Sequence, residues 1–242
     1  MGCRLQQDLI FALHGFLGQS QDWFACQKHL QAQWFTPEMF NKTSPPIKSY
    51  EVYVDELIAR YKPDGDMARK KVFIGYSLGG RLGLYILRKY SWLFDHFIFI
   101  STHPGLSSFD LRQDRQKSDA VWADLVKNEP WESFLKKWNS QTVFLKTSLE
   151  PARYEKDFDM IKLSESLKLW SLGTQDEMHE FILKHQNKVS WIVGSEDPKF
   201  IGIAEELKTK KILLEYSRIH SGHRVIFDNP KELTDVIKNI IA

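Results

Sequence analysis

The run Val72-Phe73-Ile74-Gly75-Tyr76-Ser77-Leu78-Gly79 constrains this chain more than any other segment. Its first three residues read as a buried strand. From Leu78 to Tyr90, residues Leu82, Tyr85, Ile86 and Lys89 recur at helical spacing. A strand turns into a helix this abruptly only where neighbouring main chain comes very close, which requires bare glycine at positions 75 and 79. Ser77 then sits at the apex, strained, with its hydroxyl exposed above a helix N-terminus that favours developing negative charge. The pattern G-x-S-x-G in this setting predicts a nucleophile elbow rather than a plain strand-to-helix turn.

The rest of the chain supplies a body to carry such an elbow. Leu9–Leu13, Phe97–Ile100 and Val189–Val193 are continuous apolar runs, and Ile212-Leu213-Leu214 reads as a further strand. Continuous runs, unlike alternating ones, fit a parallel sheet covered on both faces. Helical stretches fall between them: Asp22 to about Gln33, Tyr50 to Tyr61 (stopping before Pro63), Phe200 to Leu207, and Glu232 to Ile241. The alternation means an α/β fold, a mostly parallel sheet flanked by helices. From residue 105 to 186 no strand is legible, only helical periodicities separated by Pro130, Pro151 and Gly173. Residues 1–104 and 187–242 are expected to form the core, with 105–186 a helical cap inserted into it. Four of the eight tryptophans, Trp122, Trp131, Trp138 and Trp170, fall in the cap. An aromatic cap over a sheet makes a pocket roof, although any one tryptophan taken alone is better read as packing the cap onto the body.

A serine needs a base and an orienting acid. In an elbow of this kind the chain order is serine, acid, histidine. Asp197 follows the run Val189–Val193, and His223 lies in Ser221-Gly222-His223 before the final helix. Both positions follow strand ends, where open α/β sheets place their sites. Glu196 and Asp228 are the rival acids, and His220 and His14 the rival bases. His14-Gly15-Phe16 ends the first strand, so the backbone N–H of Phe16 is expected to pair with that of Leu78 as an oxyanion hole.

Charge and cysteine content narrow the setting. Lys and Arg total 33 against 31 Asp and Glu, which argues against a nucleic-acid partner. The two cysteines, Cys3 and Cys26, form no zinc-type cluster, and no metal or organic cofactor is implied. The polar Met1–Gln7 and the short apolar run after it suit neither a signal peptide nor a membrane span, so a cytoplasmic location is expected. The expected partner is a small anionic substrate, met by a monomer or small homo-oligomer.

Several segments together resemble the α/β-hydrolase superfamily and, within it, the family of 2-succinyl-6-hydroxy-2,4-cyclohexadiene-1-carboxylate synthases of menaquinone biosynthesis. These are Leu13-His14-Gly15-Phe16-Leu17-Gly18 with Gln21-Asp22-Trp23, Gly75-Tyr76-Ser77-Leu78-Gly79-Gly80-Arg81, His103-Pro104-Gly105-Leu106, the Arg112/Arg115/Asp119 spacing, and Gly194-Ser195-Glu196-Asp197-Pro198-Lys199-Phe200. The resemblance implies a lyase that eliminates pyruvate, with the triad Ser77, Asp197 and His223 acting as a base and no acyl-enzyme formed. It also implies that Arg81 and Arg115 hold substrate carboxylates, that Trp138 lines the pocket, and that Tyr76 flanks the elbow. Arginine suits carboxylates because its planar fork binds them bidentately. A carboxylic-ester or thioester hydrolase using Ser77 as nucleophile is the alternative, and a non-catalytic binding protein the reading from another class. Three departures stand out. The chain begins almost at the usual third strand, and Phe35-Thr36-Pro37-Glu38-Met39-Phe40 replaces the usual D-x-P-G-H-G segment. A third substrate-binding arginine has no clean counterpart, with Arg153 or Lys156 as stand-ins.

Overall fold

The computed structural model describes residues 7–61, 69–147 and 151–242; Cys3, the Met1–Gln6 segment and Pro63 lie outside them. Six parallel strands form one sheet: β1 (Leu9–Leu13), β2 (Gln33–Phe35), β3 (Lys71–Tyr76), β4 (His96–Ile100), β5 (Val189–Gly194) and β6 (Tyr216–Ile219), in the order β2-β1-β3-β4-β5-β6. The order reverses direction at β1, where the chain crosses from β2 to β3.

Successive residues of a strand point to opposite faces, and here the two faces differ in chemistry. Phe11, Phe73, Phe97, Phe99 and Trp191 face one way and pack with α2 (Tyr50–Arg60), α3 (Leu78–Tyr90) and α8 (Pro198–Thr209). Ile10, Val72, Ile74, Ile98, Ile100 and Ile192 face the other way and meet α1 (Phe24–His29), α9 (Val225–Asp228) and α10 (Pro230–Ile241). This two-sided burial explains why the strands read as unbroken apolar runs.

Between β4 and β5 the described residues contain helices and no strand: α4 (Phe109–Asn128), α5 (Trp131–Asn139), α6 (Met160–Leu169) and α7 (His179–Lys184). Pro130 immediately precedes α5, while the Ser108 and Asp159 side chains cap α4 and α6 by accepting backbone N–H groups of their first turns. Trp131, Phe134 and Trp170 join the core on the aromatic side of the sheet. No helix among the described residues is long and apolar enough to cross a membrane.

Two sequence expectations are corrected. The stretch from Asp22 to Gln33 is not one helix. It is a 3₁₀ turn over Ser20–Trp23, then α1, which ends where Leu30 turns extended, so that Gln33–Phe35 can pair with β1 at the sheet edge. Ile212-Leu213-Leu214 is not a strand. Lys211 adopts φ 59°, and the N–H groups of Ile212 and Leu213 both turn back to the Leu207 carbonyl, at 2.9 and 3.3 Å. The buried Ile212 and Leu213 thus close the end of α8, and the strand begins at Tyr216.

The elbow is the tightest place in this framework. A Cβ on Gly79 would stand 2.3 Å from the Leu13 carbonyl oxygen, and one on Gly75 2.6 Å from the Gly80 Cα. We expect Gly79→Ala to destabilise the protein by about 1–3 kcal/mol, because the obstructing atoms are main chain and have no rotamer to escape into. Gly202, in α8, has nothing within 4 Å of its Cβ position. Gly202→Ala should therefore stabilise by about 0.5–1 kcal/mol through helix propensity. Urea unfolding of the two variants reads both signs.

Candidate active site

The loops after β1, β3, β4, β5 and β6 converge at the carboxyl edge of the sheet. Ser77 has φ 53° and ψ −110°, an unfavourable region for a side chain with a Cβ. Its N–H is spent on the Ile100 carbonyl of β4 at 2.9 Å, and its own carbonyl accepts the Arg81 N–H at 3.1 Å. The serine is therefore fixed by the sheet on one side and the helix on the other.

Asp197 and His223 arrive on two loops stitched to each other. The N–H of Ser195 donates to Ile219 O at 2.7 Å and that of Glu196 to Ser221 O at 2.9 Å. A Cβ on Gly194 would meet Gly222 O at 2.0 Å, so the loops touch main chain to main chain. Asp197 caps α8 with Oδ1, which accepts the Phe200 N–H at 3.2 Å, and its Oδ2 lies 2.8 Å from His223 Nδ1. His223 Nε2 lies 3.2 Å from Ser77 Oγ. A carboxylate only accepts, so the neutral ring holds its proton on Nδ1 and offers the Nε2 lone pair to the serine hydroxyl. Asp197 and His223 are both buried. The rivals are placed otherwise. Glu196 and His220 are exposed and 4.0 Å from each other, Asp228 accepts the Gly222 N–H at 3.3 Å, and His14 is buried with Nδ1 2.9 Å from the Gly15 carbonyl.

The turn Gly15–Gly18 sits against the elbow. Gly18 N–H donates to Gly15 O at 3.0 Å, Leu17 takes φ 57°, and a Cβ on Gly15 would lie 3.5 Å from Ser77 Cβ. Phe16 and Leu78 both line the cavity that opens at Ser77.

That cavity, about 260 Å³, lies between the carboxyl edge of the sheet and helices α4, α5 and α6. Ser77, His223, Arg81, Arg115 and Trp138 all line it, and Tyr76 does not. Tyr76 lines a second, smaller cavity of about 70 Å³ on the other side of the same pair, Ser77 and His223, with its ring 5.7 Å from the imidazole. Arg81 donates from Nη1 to the Tyr50 hydroxyl at 2.9 Å, and Tyr50 in turn donates to Trp170 O at 2.8 Å and stacks on Tyr85. Burial pulls the Arg81 pKa down, and Arg115 adds to the effect. Arg115 is held through Nε, 2.8 and 2.9 Å from the two oxygens of buried Asp119 one helical turn on. Its terminal nitrogens take no part in those two bonds.

Two lining residues carried no assigned role in the sequence. Lys199 stands on the second residue of α8, two positions after Asp197. Desolvation lowers its pKa, and the neighbouring Arg115 and Arg81 lower it further. His103, in the His-Pro-Gly-Leu segment after β4, is the other. The only sequence signal for either was membership of a family-like motif.

Arg153 is not in the main cavity. It forms a buried ion pair with Asp22 at 2.7 Å, and Lys156 lies on the surface near Tyr154. Arg112 is a clamp on the loop after β4, donating to Leu106 O at 2.7 Å and Gln175 O at 2.9 Å. Among the described residues no three metal-binding side chains cluster. Cys26 is buried, which raises its pKa to about 12.

No family model matches the chain. It is 26% identical over 245 residues to the 2-succinyl-6-hydroxy-2,4-cyclohexadiene-1-carboxylate synthase of Klebsiella pneumoniae, covering 97% of this chain and 93% of that one. A synthase of the same description from Yersinia pestis is 26% identical over 230 residues, 90% of this chain and 81% of the relative. Among solved structures, MenH from S. aureus superposes with TM-score 0.83 at 18% identity, covering 98% and 94% of the two chains. The chain has the α/β-hydrolase fold. It resembles the synthases along nearly its whole length, and by that resemblance falls among enzymes of this fold. A Thermogutta terrifontis esterase also shares the fold, with TM-score 0.71 at 16% identity over 98% of this chain and 90% of that one.

The Arg153–Asp22 pair yields a test of its own. Removing one partner of a buried ion pair leaves the other charge uncompensated. We expect Arg153→Met to cost about 3–5 kcal/mol in denaturant unfolding, and Asp22→Asn added to it to recover a large part of that loss.

Proposed function

We propose that this chain is a lyase of the 2-succinyl-6-hydroxy-2,4-cyclohexadiene-1-carboxylate synthase type, eliminating pyruvate in menaquinone biosynthesis. The supporting observation is the company that the Ser77–His223–Asp197 chain keeps. Arg81, Arg115 and Lys199 open on the same cavity, and Asp119, already bonded to Arg115, is the one carboxylate in its lining among the described residues. A neutral ester gains nothing from such a surplus of positive charge, whereas a substrate with several carboxylates is held by it.

In this reading Asp197 keeps the His223 proton on Nδ1, and Ser77 gives its hydroxyl proton to Nε2 as it takes a proton from a ring carbon of the substrate. The electron pair of the broken C–H bond moves into an enolate, whose oxygen meets the N–H groups of Phe16 and Leu78. Collapse of the enolate forms the ring double bond and breaks the C–O bond to the pyruvyl group. That leaving group takes the proton from His223 and departs as pyruvate, so the base returns to its starting state and no acyl-enzyme forms. Arg81, Arg115 and Lys199 hold carboxylates, and Trp138 forms an aromatic wall of the pocket. The second reading is a carboxylic-ester or thioester hydrolase with Ser77 as nucleophile. The aromatic lining by Trp122, Trp138, Phe144 and Phe200 favours it, since an acyl chain packs there as well.

The deciding experiment incubates the protein with the synthases' substrate, coupling released pyruvate to lactate dehydrogenase, and separately with short nitrophenyl esters. Pyruvate release supports the lyase; rapid ester turnover without pyruvate overturns it. In the active assay Ser77→Ala and His223→Ala should each lower kcat by roughly 10³- to 10⁶-fold with folding unchanged. Arg81→Ala should raise KM by about 10- to 100-fold, the cost of a lost charged hydrogen bond.

The lowered Lys199 pKa sets a pH dependence. Its ammonium binds a carboxylate below that pKa and lets go above it. KM should therefore begin to rise at a pH below the ordinary lysine range, while Lys199→Arg, which stays charged, should keep KM flat there. A wild-type KM that is flat through the same range would remove Lys199 from the site.

A further inference from the structure

The proposed mechanism uses one of the two histidines that line the main cavity, His223, and leaves the other unused. His103 lies in the loop that carries the chain from β4 to α4, and it lines the cavity with Ser77, Arg81, Arg115 and Lys199. Its setting is rigid. The His103 carbonyl accepts the Gln175 side-chain amide at 3.0 Å, and the next carbonyl, of Pro104, accepts the Met178 N–H at 2.8 Å. Gly105 takes φ 112° and is pressed so close to the Asp176 carbonyl that a Cβ there would meet its oxygen at 2.4 Å. The backbone is thus clamped on both sides of the ring.

The ring's own hydrogen bond fixes where its proton sits. Nδ1 lies 3.1 Å from the Gly105 nitrogen, which is an N–H donor, so Nδ1 is the acceptor. A neutral imidazole has one protonated nitrogen, and with Nδ1 accepting, that nitrogen is Nε2. The charged form is opposed by burial and by the basic side chains around the cavity. Desolvation comes first, followed by Lys199 from α8, Arg81 from α3, Arg115 from α4 and His179 from α7, and together they bring the His103 pKa to about 3. Nε2 has no partner among the described residues, yet it is not among the buried polar atoms left unsatisfied. Its N–H therefore remains open to a molecule in the cavity.

We propose that His103 is a specificity-determining residue, an uncharged Nε2–H donor that hydrogen-bonds an uncharged oxygen of the substrate, a ketone or hydroxyl. This rests on the lyase reading for the identity of the substrate. The chemistry divides the labour of the pocket. Arg81, Arg115 and Lys199 attract carboxylates at any distance within their field, and so fix the substrate's charge but not its register. A neutral donor adds no net charge and rewards only a correctly placed acceptor. Were His103 an imidazolium it would merely be a fourth cation, competing for the same carboxylates.

The test separates donor from scaffold. His103→Asn keeps an acceptor near the Nδ1 position for Gly105 and lacks a donor at Nε2; His103→Gln places an amide N–H close to Nε2. We expect His103→Asn to lose about three- to tenfold in kcat/KM for pyruvate release, the worth of one neutral hydrogen bond, and His103→Gln to regain part of it. The loss should be the same from pH 5 to 8, and the salt dependence of KM should stay as in the wild type, whereas Arg81→Ala should weaken it. Equal thermal stability of both histidine variants and the wild type excludes a folding origin. Two-dimensional ¹⁵N NMR of histidine-labelled protein should show His103 as the neutral Nε2–H form throughout that range. An Nδ1–H or doubly protonated ring, or unchanged kcat/KM for His103→Asn in an enzyme that releases pyruvate, overturns the proposal. The NMR measurement needs no substrate. A wild-type protein that releases no pyruvate while His103 still shows the Nε2–H form overturns the lyase reading and, with it, the substrate role given to His103, but leaves the donor assignment standing.

Discussion

Every part of the candidate site hangs on a serine held in a backbone conformation it would not choose. A positive φ on a residue with a Cβ costs about 1–3 kcal/mol, and Ser77 sits at 53°. The cost is met by its surroundings: the Ile100 carbonyl takes its N–H, Gly75 and Gly79 let β3, α3 and the end of β1 touch through main chain, and α3 begins at the next residue. Relax this bend and the hydroxyl turns away from His223, the Phe16 turn loses its neighbour, and the start of α3 moves off the sheet. Strain here is a consequence of packing a strand, a turn and a helix within one van der Waals distance.

The same closeness of main chain recurs at the acid and the base. Gly194 and Gly222 lie against each other, and the N–H groups of Ser195 and Glu196 reach across to the histidine loop. The 2.8 Å contact between Asp197 and His223 is thus built into the backbone before either side chain is considered. Two loops whose acid and base are 26 residues apart in the chain are thus joined by main-chain hydrogen bonds. The cationic wall is arranged differently. Arg115 is tethered by Asp119, Arg81 by a neutral phenol, and Lys199 by its place at the start of a helix that Asp197 itself caps. Asp119 offsets one of these charges, but Arg81 is held by a phenol rather than a carboxylate, so the cavity keeps a positive potential that a carboxylate partner for every cation would have quenched.

How much of this was legible in the chain varies with the range of the interaction. The elbow was legible because glycine, serine and glycine at fixed offsets report a local steric demand. The strands from β1 to β5, β2 aside, were legible because two-sided burial writes itself as an unbroken apolar run. Ile212-Leu213 misled for the same reason: an apolar run bounded by a turn describes a strand and a helix closure equally well, and only the left-handed Lys211 distinguishes them. The edge strand Gln33–Phe35 escaped because a three-residue edge strand, half exposed, carries almost no pattern. Arg153 was a stand-in for the third arginine that the family resemblance implies, yet it lines the smaller cavity rather than the main one and is paired with Asp22, 131 residues away.

The sequence by itself determined the fold class, the elbow and its serine, and narrowed the acid and histidine to a few residues at strand ends, since each follows from short-range sterics or from chain order; distances in the fold then singled out Asp197 and His223. Tertiary structure alone decided which cations face the cavity, that Tyr76 belongs to its smaller neighbour, and which nitrogen of His103 carries the proton. Those outcomes depend on distances between segments far apart in the chain. Electrostatic and hydrogen-bonding partners are chosen by such distances, and residue order does not encode them.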